Sequence, residues 1–134
     1  MIKALFIDDN PNFRQGVITS LQESFHDELC IYQAPECNYA SHLLKDQVFD
    51  LIMLDIRVSG ENGLDLIPEI RARSKKHIPI IVLSNFELPE YEDHVLNAGA
   101  DAYIAKSSDC FLCISGHISH LVMQSSGVSN PVLH

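Results

Sequence analysis

Short apolar segments alternate with longer segments of helical spacing along this chain. Five of the apolar segments are rich in β-branched residues and have the length of single β-strands. They are Lys3–Ile7, Leu29–Gln33, Asp50–Ile56, Ile78–Ser84 and Ala102–Ala105. Three of them contain the nearly continuous apolar runs ALFI, LIMLDI and IPIIVLS, which are typical of parallel strands covered on both faces. The pattern therefore predicts a buried parallel sheet.

A helical segment follows each predicted strand. In FRQGVITSLQESF the apolar residues Phe13, Val17, Leu21 and Phe25 recur at four-residue steps, and Pro11 stands where a first helical turn tolerates proline. The other helices are predicted in ASHLLKDQVF, GLDLIPEIRAR, PEYEDHVLNAG and SDCFLCISGHISHLVM. This order, (βα)5, predicts an α/β fold with a single doubly wound, five-stranded parallel sheet.

Two residues constrain the predicted helices, and a change of composition marks the end of the domain. Pro68 has to lie in the first turns of the third helix or kink it, and Gly99 is expected at the left-handed position that ends the fourth. We assign residues 1–124 to one domain. Residues 125–134, SSGVSNPVLH, are interpreted as a polar C-terminal tail or the start of a linker.

Composition and charge agree with one globular domain and limit its partners. The chain has 134 residues, of which 46% are hydrophobic and 20% charged, and these values argue against global disorder. The net charge of −9 and the lack of a basic stripe in the sequence argue against direct binding to nucleic acid.

The sequence predicts neither a membrane segment nor an export signal. No apolar run approaches the roughly 18 residues of a spanning helix, and MIKALFIDDN reaches a pair of acids too early for a signal peptide. We therefore expect a cytoplasmic protein that does not bind membranes. There the four cysteines, Cys30, Cys37, Cys110 and Cys113, would be reduced, so their even number predicts no disulfide framework.

The stretch DLIMLDIR, residues 50–57, places the carboxylate of Asp55 directly behind an apolar run. The carboxyl ends of parallel strands gather at one edge of a doubly wound sheet, where such folds bind ligands. Asp8 and Asp9 close the first run in the same way, and the first and third strands are neighbours in the order 2-1-3-4-5. Three close carboxylates repel one another unless a cation joins them, and Mg²⁺ suits such a site.

The fourth and fifth runs end on Ser84 and Lys106. A hydroxyl and an ammonium beside a carboxylate and metal cluster would complement a tetrahedral dianion, which favours phosphoryl transfer with Asp55 as the acceptor. Taken singly, Asp8 and Asp9 could cap a helix, and Asp55 could be a strand-end turn residue. Capping does not require a serine and a lysine at two further strand ends, so the combination favours the functional interpretation.

These residues, together with ENGLDLIPEIR and NAGADAYIAKSSD, resemble the receiver domain of two-component response regulators. The set comprises Asp8, Asp9, Asp55, Ser84, Tyr103 and Lys106, with Gly63 standing 8 residues after Asp55. The resemblance covers residues 2 to about 124 and implies the flavodoxin-like receiver fold with sheet order 2-1-3-4-5. The closing AKSSD is more similar to receivers attached to transcription factors of the NarL/LuxR type.

The resemblance implies a phosphoacceptor signalling domain rather than a conventional enzyme. Asp55 would take the phosphoryl group from the phosphohistidine of a histidine kinase or phosphotransfer protein. Asp8, Asp9 and the backbone carbonyl of Arg57 would hold Mg²⁺ together with Asp55.

The resemblance also implies a switch. Lys106 would pair with the phosphoryl oxygens, and Ser84 would hydrogen-bond one of them after phosphorylation. Tyr103 would then swing inward and change the face formed by the fourth helix, the fifth strand and the fifth helix. That face would also be the surface of a homodimer.

Three residues, Asn85, Phe86 and Ser59, depart from the family pattern. Asn85 stands where a small residue such as alanine is usual, and bulky Phe86 follows it, so access of a phosphodonor would be restricted. Arg57 and Phe86 occupy positions that in the family tune the lifetime of the acyl phosphate. We expect Asn85 to contribute to the same property. Ser59 replaces a common proline and is expected to loosen the loop after Asp55.

Three rival functions compete with this interpretation. A phosphohydrolase with an aspartate nucleophile usually has a second aspartate two residues on, where this chain has Arg57. A pseudo-receiver, which keeps the fold without phosphorylation, is opposed by the intact Asp55, Ser84 and Lys106. Flavin binding is opposed by the acidic DDNPN, where a phosphate loop would need small and hydroxyl residues.

The stretch CFLCISGHISH contains four potential metal ligands, Cys110, Cys113, His117 and His120, on one helical stripe. Ten helical positions span about 15 Å, so one helix cannot bring all four to a single zinc ion. We expect them to border the apolar stripe of the helix as a partly exposed flank. A two-ligand site completed by another chain stays open.

The sequence leaves the output of the domain open. The fifth helix is expected to end near Gln124, and the ten residues that follow leave no room for a DNA-binding domain. The chain is then either a stand-alone receiver that acts through protein contacts or the N-terminal regulatory domain of a DNA-binding transcriptional regulator. The NarL/LuxR-like features favour the second alternative.

Overall fold

Five parallel strands form the central sheet of the protein. The computed structural model describes residues 1–85, 89–107 and 110–123. The strands are β1 (Ile2–Ile7), β2 (Leu29–Ala34), β3 (Leu51–Asp55), β4 (Ile80–Ser84) and β5 (Ala102–Ala105). Their order is β2-β1-β3-β4-β5, so the predicted order 2-1-3-4-5 is confirmed.

Burial follows the position of each strand in the sheet. Every residue of β3 and β4 is buried, as the continuous apolar runs predicted, whereas the edge strands β2 and β5 contain half-buried residues. Parallel register pairs Ala4 with Leu51, Ile52 with Ile80 and Val82 with Tyr103. These pairings align the carboxyl ends of the central strands.

Five helices cover the two faces of the sheet. They are α1 (Pro11–Phe25), α2 (Cys37–Asp46), α3 (Leu66–Arg73), α4 (Pro89–Asn97) and α5 (Cys110–Ile118). One apolar cluster joins α1 and α5 to Leu51 and Met53 of β3, and another joins α2, α3 and α4 to Ile52 and Leu54. Alternate residues of one strand therefore face opposite layers, which makes the sheet doubly wound.

The helix signals in the sequence are confirmed. Asn10 caps α1 by accepting hydrogen bonds from the N–H groups of Asn12 and Phe13, and Pro11 is the first helical residue. Pro68 is the third residue of α3, where its missing N–H breaks no helical hydrogen bond. Gly99 has a φ of 115° just after α4, and its N–H bonds the Leu96 carbonyl.

The sequence did not predict a small hairpin between β3 and α3. Arg57–Val58 pairs antiparallel with Glu61–Asn62, and the turn residues Ser59 and Gly60 have φ values of 52° and 82°. Two positive φ values at the centre of a two-residue turn are typical of a type I′ hairpin. The hairpin brings the segment after Asp55 back toward the carboxyl edge of the sheet.

The α5 stripe differs in part from the prediction. Cys113 and His120 are exposed and His117 is half-buried, but Cys110 is buried in the core with Ile114 and Ile118. The expectation of a partly exposed flank was therefore wrong for Cys110, because the first turn of α5 packs that side chain onto the sheet. A π-helical turn, Ser119–Met123, continues the helix.

Two predictions concern the ends and the surroundings of the domain. No helix within the three described ranges is long and apolar enough to cross a membrane. The predicted boundary at residue 124 and the tail of residues 125–134 lie outside the described residues.

Candidate functional site

Four strands end at one edge of the sheet and bring the predicted site residues together. Asp8 follows β1, Asp55 ends β3, Ser84 ends β4 and Lys106 follows β5. A cleft of about 440 Å³ opens at this edge. It is lined by Asp9, Asn10, Asp55, Arg57, Gly60, Ser84, Asn85 and Lys106.

Lys106 joins the two buried carboxylates of the site. Its Nζ donates hydrogen bonds to Asp8 Oδ2 at 2.8 Å and to Asp55 Oδ2 at 2.9 Å. Asp8 is fully buried, Asp55 is 8% exposed and the Lys106 side chain is 9% exposed. Because these three charged groups lose most of their hydration, the ion pairs of Lys106 with Asp8 and Asp55 compensate for the cost of desolvation.

The charges of the site shift the acid–base behaviour of both partners. Burial raises the pKa of Asp55; Lys106 opposes this effect, the charge of Asp8 adds to it, and the net pKa lies above the ordinary value. Burial lowers the pKa of Lys106, but its hydrogen bonds to Asp8 and Asp55 and their charges outweigh burial and raise it. Lys106 is therefore a charged ammonium at neutral pH.

Asp8 is fixed by its neighbours on α1 and β2. The Asn10 N–H donates to Asp8 Oδ1 at 2.9 Å, and the Asp8 N–H donates to the Ala34 carbonyl. The Arg14 guanidinium donates to the Asp8 main-chain oxygen and, through Nε, to Gln33 Oε1 at 3.0 Å. The turn that presents Asp8 is therefore held from both sides.

Asp9 is exposed at the mouth of the cleft. Its Oδ2 accepts a hydrogen bond of 2.7 Å from the Ser59 N–H in the turn of the hairpin. A proline at position 59 would lack this donor. Ser59 was predicted to loosen this loop, but its N–H instead ties the hairpin to one of the acids.

The acid cluster fits a divalent cation. Carboxylate oxygens of Asp8, Asp9 and Asp55 lie within 4.8 Å of one another, and Lys106 is the cation bound to two of them. Hard oxygen donors with an excess of negative charge are what Mg²⁺ binds. Across residues 1–85, 89–107 and 110–123 no other group of three His, Cys, Asp or Glu side chains has such spacing, so the α5 stripe forms none.

Of the remaining predicted residues, Ser84 and Asn85 line the cleft. Ser84 is 1% exposed, and its main-chain oxygen accepts the Lys106 N–H at 2.7 Å. Tyr103 is half-buried in β5 against the layer of α2, α3 and α4. The exposed Asn85 lines the cleft, whereas Phe86 lies outside the described residues.

Arg57 is exposed after Asp55. Its N–H donates to Asp55 Oδ1 at 3.4 Å, a long contact. This contact reaches the Asp55 oxygen that Lys106 does not bind. Arg57 also lines the cleft beside Gly60.

Sequence reasoning identified the charged residues but missed the residues that hold them. Arg14 supports Asp8, and the Phe13 ring lies 4.3 Å from Lys106 Nζ. Both belong to the first turn of α1, directly after the acids. The sequence placed Phe13 on the apolar stripe of this helix but carried no signal of its contact with Lys106. Gly63 has a steric role, since a Cβ there would lie 2.0 Å from the Asp55 carbonyl oxygen.

Comparison with known proteins gives one consistent result. The family model described as the response regulator receiver domain matches residues 4–110. The transcriptional regulatory protein AruR of Pseudomonas aeruginosa is 34% identical over 108 residues, which are 78% of this chain and 43% of AruR. The two-component response regulator PhoP of the same species is 30% identical over 128 residues, 94% of this chain and 54% of PhoP. The chain thus spans about half the length of these curated relatives.

A solved structure with the same fold adds a ligand-bound example. The response regulator TrrA of Thermotoga maritima, in complex with Mg(2+)-BeF, superposes with a TM-score of 0.77 at 30% identity. The match covers 90% of this chain and 99% of TrrA.

Proposed function

The chain belongs to the response regulator receiver family, and from this premise we propose that it accepts a phosphoryl group on Asp55 in a Mg²⁺-dependent reaction. The observation that carries the proposal is the arrangement at the carboxyl edge of the sheet. Asp55 bonds Lys106 at 2.9 Å and lies in a cleft with Asp9 and Ser84. A nucleophilic carboxylate, a fixed ammonium and a cluster of acids are the groups that phosphoryl transfer to an aspartate needs.

Asp55 is the proposed nucleophile, and its carboxylate attacks the phosphorus of the donor. The bond from phosphorus to the donor nitrogen breaks as the acyl phosphate forms, and the donor keeps the electron pair. Burial raises the pKa of Asp55, but Lys106 donates a hydrogen bond to Asp55 Oδ2. This hydrogen bond favours the ionised carboxylate, which is the form that attacks. No general base is required, since a carboxylate has no proton to lose.

Asp8, Asp9, Asp55 and the backbone carbonyl of Arg57 are the proposed Mg²⁺ ligands. The spacing of the three acids supports the first three. When bound, Mg²⁺ would neutralise the charge of the phosphoryl oxygens. The Ser59 N–H holds Asp9, and Arg14 and Asn10 hold Asp8, so the chain orients these acids before any cation binds.

Lys106 and Ser84 are the proposed contacts of the bound phosphoryl group. A phosphoryl group adds close to two negative charges, which compete with Asp8 for the Lys106 ammonium. Ser84 would donate its hydroxyl to a phosphoryl oxygen. We propose that Tyr103 follows this movement and alters the face of α4, β5 and α5, with the equilibrium biased by these differential contacts.

The proposed donor is a histidine kinase or phosphotransfer protein, and the proposed output is transcription. Membership of the receiver family supports the proposed donor, and the names of the relatives AruR and PhoP support the proposed output. We propose that residues 1–124 are the N-terminal regulatory domain of a DNA-binding regulator, with a homodimer through α4, β5 and α5. A stand-alone receiver is the alternative. The NarL/LuxR subfamily stays a prediction, since neither AruR nor PhoP is named as a member.

The proposed lifetime-tuning residues are Arg57, Asn85 and Phe86. Arg57 and Asn85 line the cleft beside Asp55, which supports their inclusion. Their side chains would set the access of water to the acyl phosphate. We expect substitutions at Arg57 to change the rate of dephosphorylation more than the rate of phosphorylation. Substitutions at Asn85 and Phe86 should also change the rate of phosphorylation, because these residues would restrict the access of a phosphodonor.

Intact mass after incubation with acetyl phosphate and Mg²⁺ tests the proposal. We expect one phosphoryl adduct on the wild type, none on Asp55→Asn, and none when EDTA replaces Mg²⁺. Asp27→Asn, at an exposed aspartate, is the matched control and should be phosphorylated normally. If the wild type forms no adduct while a known receiver does, the chain is a pseudo-receiver.

A further inference from the structure

The Lys106 ammonium has an aromatic neighbour in addition to its two carboxylates. Its Nζ lies 4.3 Å from the centroid of the Phe13 ring. A cation within about 6 Å of an aromatic face is attracted to it, and more strongly where water is excluded. The Lys106 side chain is only 9% exposed. The ring therefore occupies a side of the ammonium that water would otherwise solvate.

Two further rings fix the Phe13 ring in place. Phe6 of β1 meets it edge to face, with centroids 6.3 Å apart and planes at 74°. Phe111 of α5 stacks against it at 6.4 Å and 29°. These are favoured geometries of aromatic pairs. A ring held by two others is a rigid support for a flexible lysine chain.

A glycine in α1 provides the space for this aromatic stack. A Cβ at Gly16 would lie 3.2 Å from the tip of the Phe111 ring. Glycine inside a helix costs about 1 kcal/mol relative to alanine. The helix thus contains a locally unfavourable residue where Phe111 packs behind Phe13.

We propose that Phe13 is a positioning residue for phosphoryl transfer, whose ring face holds the Lys106 ammonium in line with Asp55. This inference rests on the proposed function and deepens it by naming a group that acts through Lys106. The lysine side chain is long and flexible, and the two carboxylates that attract it come from different strands. The ring limits where the ammonium moves when the phosphoryl group competes with Asp8.

The alternative is that Phe13 only fills space between α1 and α5. The two interpretations differ in whether the π-electrons of the Phe13 ring attract the Lys106 ammonium. Fluorination of phenylalanine withdraws electron density from the ring face with little change in shape, so it weakens a cation contact and leaves packing nearly intact. Leucine removes the aromatic face but keeps an apolar side chain, whereas tyrosine keeps the face.

The experiment measures adduct formation from acetyl phosphate and Mg²⁺ in the full chain. Phenylalanine at position 13 is replaced by its 4-fluoro, 3,5-difluoro and 3,4,5-trifluoro analogues, and also by leucine and tyrosine. Phe25→Leu is the matched control, because that ring is buried at the other end of α1, about three turns from Phe13. The melting temperature of each protein is recorded. A second readout, which needs no phosphorylation, is the NMR shift of the Lys106 ε-methylene protons, which a ring current moves upfield.

We expect the rate to fall stepwise along the fluorine series and by about three- to tenfold in Phe13→Leu, as an attraction of this kind allows. Phe13→Tyr should stay near the wild-type rate. The upfield shift should vanish in Phe13→Leu and persist in Phe25→Leu. Equal rates along the fluorine series, or a loss in Phe13→Leu matched by Phe25→Leu at equal loss of stability, would overturn the proposal.

Failure of this inference is distinguishable from failure of the proposed function. If the wild type forms no adduct, the proposed function fails and the positioning role fails with it. The NMR readout then still decides whether Phe13 contacts Lys106. If the wild type forms an adduct but its Lys106 protons show no upfield shift, the proposed function stands and the role of Phe13 is rejected.

Discussion

Lys106 Nζ lies 2.9 Å from Asp55 Oδ2, although β5 and β3, which present these residues, are separated in the sheet by β4. The lysine side chain therefore crosses the end of an intervening strand. It also reaches Asp8, which follows β1. One ammonium thus connects the ends of three strands, so changes at Lys106 act on stability as well as on chemistry.

Removal of the ammonium should destabilise the protein. We expect Lys106→Met to lower the free energy of unfolding by about 2–4 kcal/mol, because Asp8 and Asp55 would be left buried without their cation. Urea unfolding without Mg²⁺ measures the effect. Lys76→Met is the matched control, since the exposed pair of Lys76 with Asp50, at 3.7 Å, should contribute less than about 1 kcal/mol. Equal losses in both variants would contradict the buried role of Lys106.

The raised pKa of Asp55 predicts how stability changes with pH. Burial, with Asp8, makes the folded state hold the Asp55 proton more tightly than the unfolded state does. This contribution to stability is therefore present below the ordinary aspartate pKa of about 3.9 and is lost as pH rises through the raised value.

Asp55→Asn isolates that contribution. Without Mg²⁺ the variant should be more stable than the wild type at pH 7. The difference in stability should shrink as pH falls from the raised pKa of Asp55 toward the ordinary aspartate pKa of about 3.9, and it should disappear below that pH. Thermal melts from pH 3 to pH 8 give the comparison, and Asp27→Asn should follow the wild type throughout. A variant less stable than the wild type at neutral pH would show that the bond to Lys106 outweighs burial.

Three glycines should respond differently to alanine. Gly63→Ala should cost about 3 kcal/mol or more, because the Cβ would lie 2.0 Å from the Asp55 carbonyl oxygen and the backbone must move. Gly60→Ala should cost about 1–2 kcal/mol, since its φ is 82° but nothing lies near the new atom. Gly116→Ala, in α5 with open space, should gain up to about 1 kcal/mol. Urea unfolding ranks the three, and a different order would refute the steric argument for Gly63.

Exposed and buried cysteines should react with thiol reagents at different rates. Cys113 is exposed and should be labelled first, whereas Cys37 and Cys110 are buried. Burial, together with Glu61 and Asp65, raises the pKa of the Cys37 thiol, and burial also raises that of Cys110 against an opposing bond from Ser107. Both should therefore react slowly until the protein unfolds.

Labelling with a chromogenic disulfide at pH 8 tests this order. Cys113→Ser should abolish the fastest phase, and Cys37→Ser should leave it unchanged. If the fast phase survives in Cys113→Ser, the exposed thiol lies elsewhere.

Much of the fold follows from local pattern. The apolar run ending at Asp55 predicted a buried strand with a charge at its carboxyl end, and the four-residue spacing in α1 predicted the buried face that Val17, Leu21 and Phe25 form. These inferences succeed because periodicity records which face of an element is buried. The order of elements then limits how a parallel sheet can be wound.

The residues that hold the site were not predictable in the same way. The Ser59 N–H bonds Asp9 only because a hairpin with two positive φ values folds back over the sheet edge. Lys106 binds Asp8 and meets the Phe13 ring only once β1, α1 and β5 are packed together. Neither spacing nor composition carries this information.

The sequence by itself determined the alternation of strands and helices, the five strands, and the acids, serine and lysine at their ends. The tertiary structure decided which oxygen meets which donor, how deeply Asp8 and Asp55 are buried, and that an aromatic ring lies against Lys106. The physical reason is the range, along the chain, of the interactions involved. A hydrophobic pattern is a local property of one element, whereas the energy of a buried charge depends on atoms that distant segments bring together.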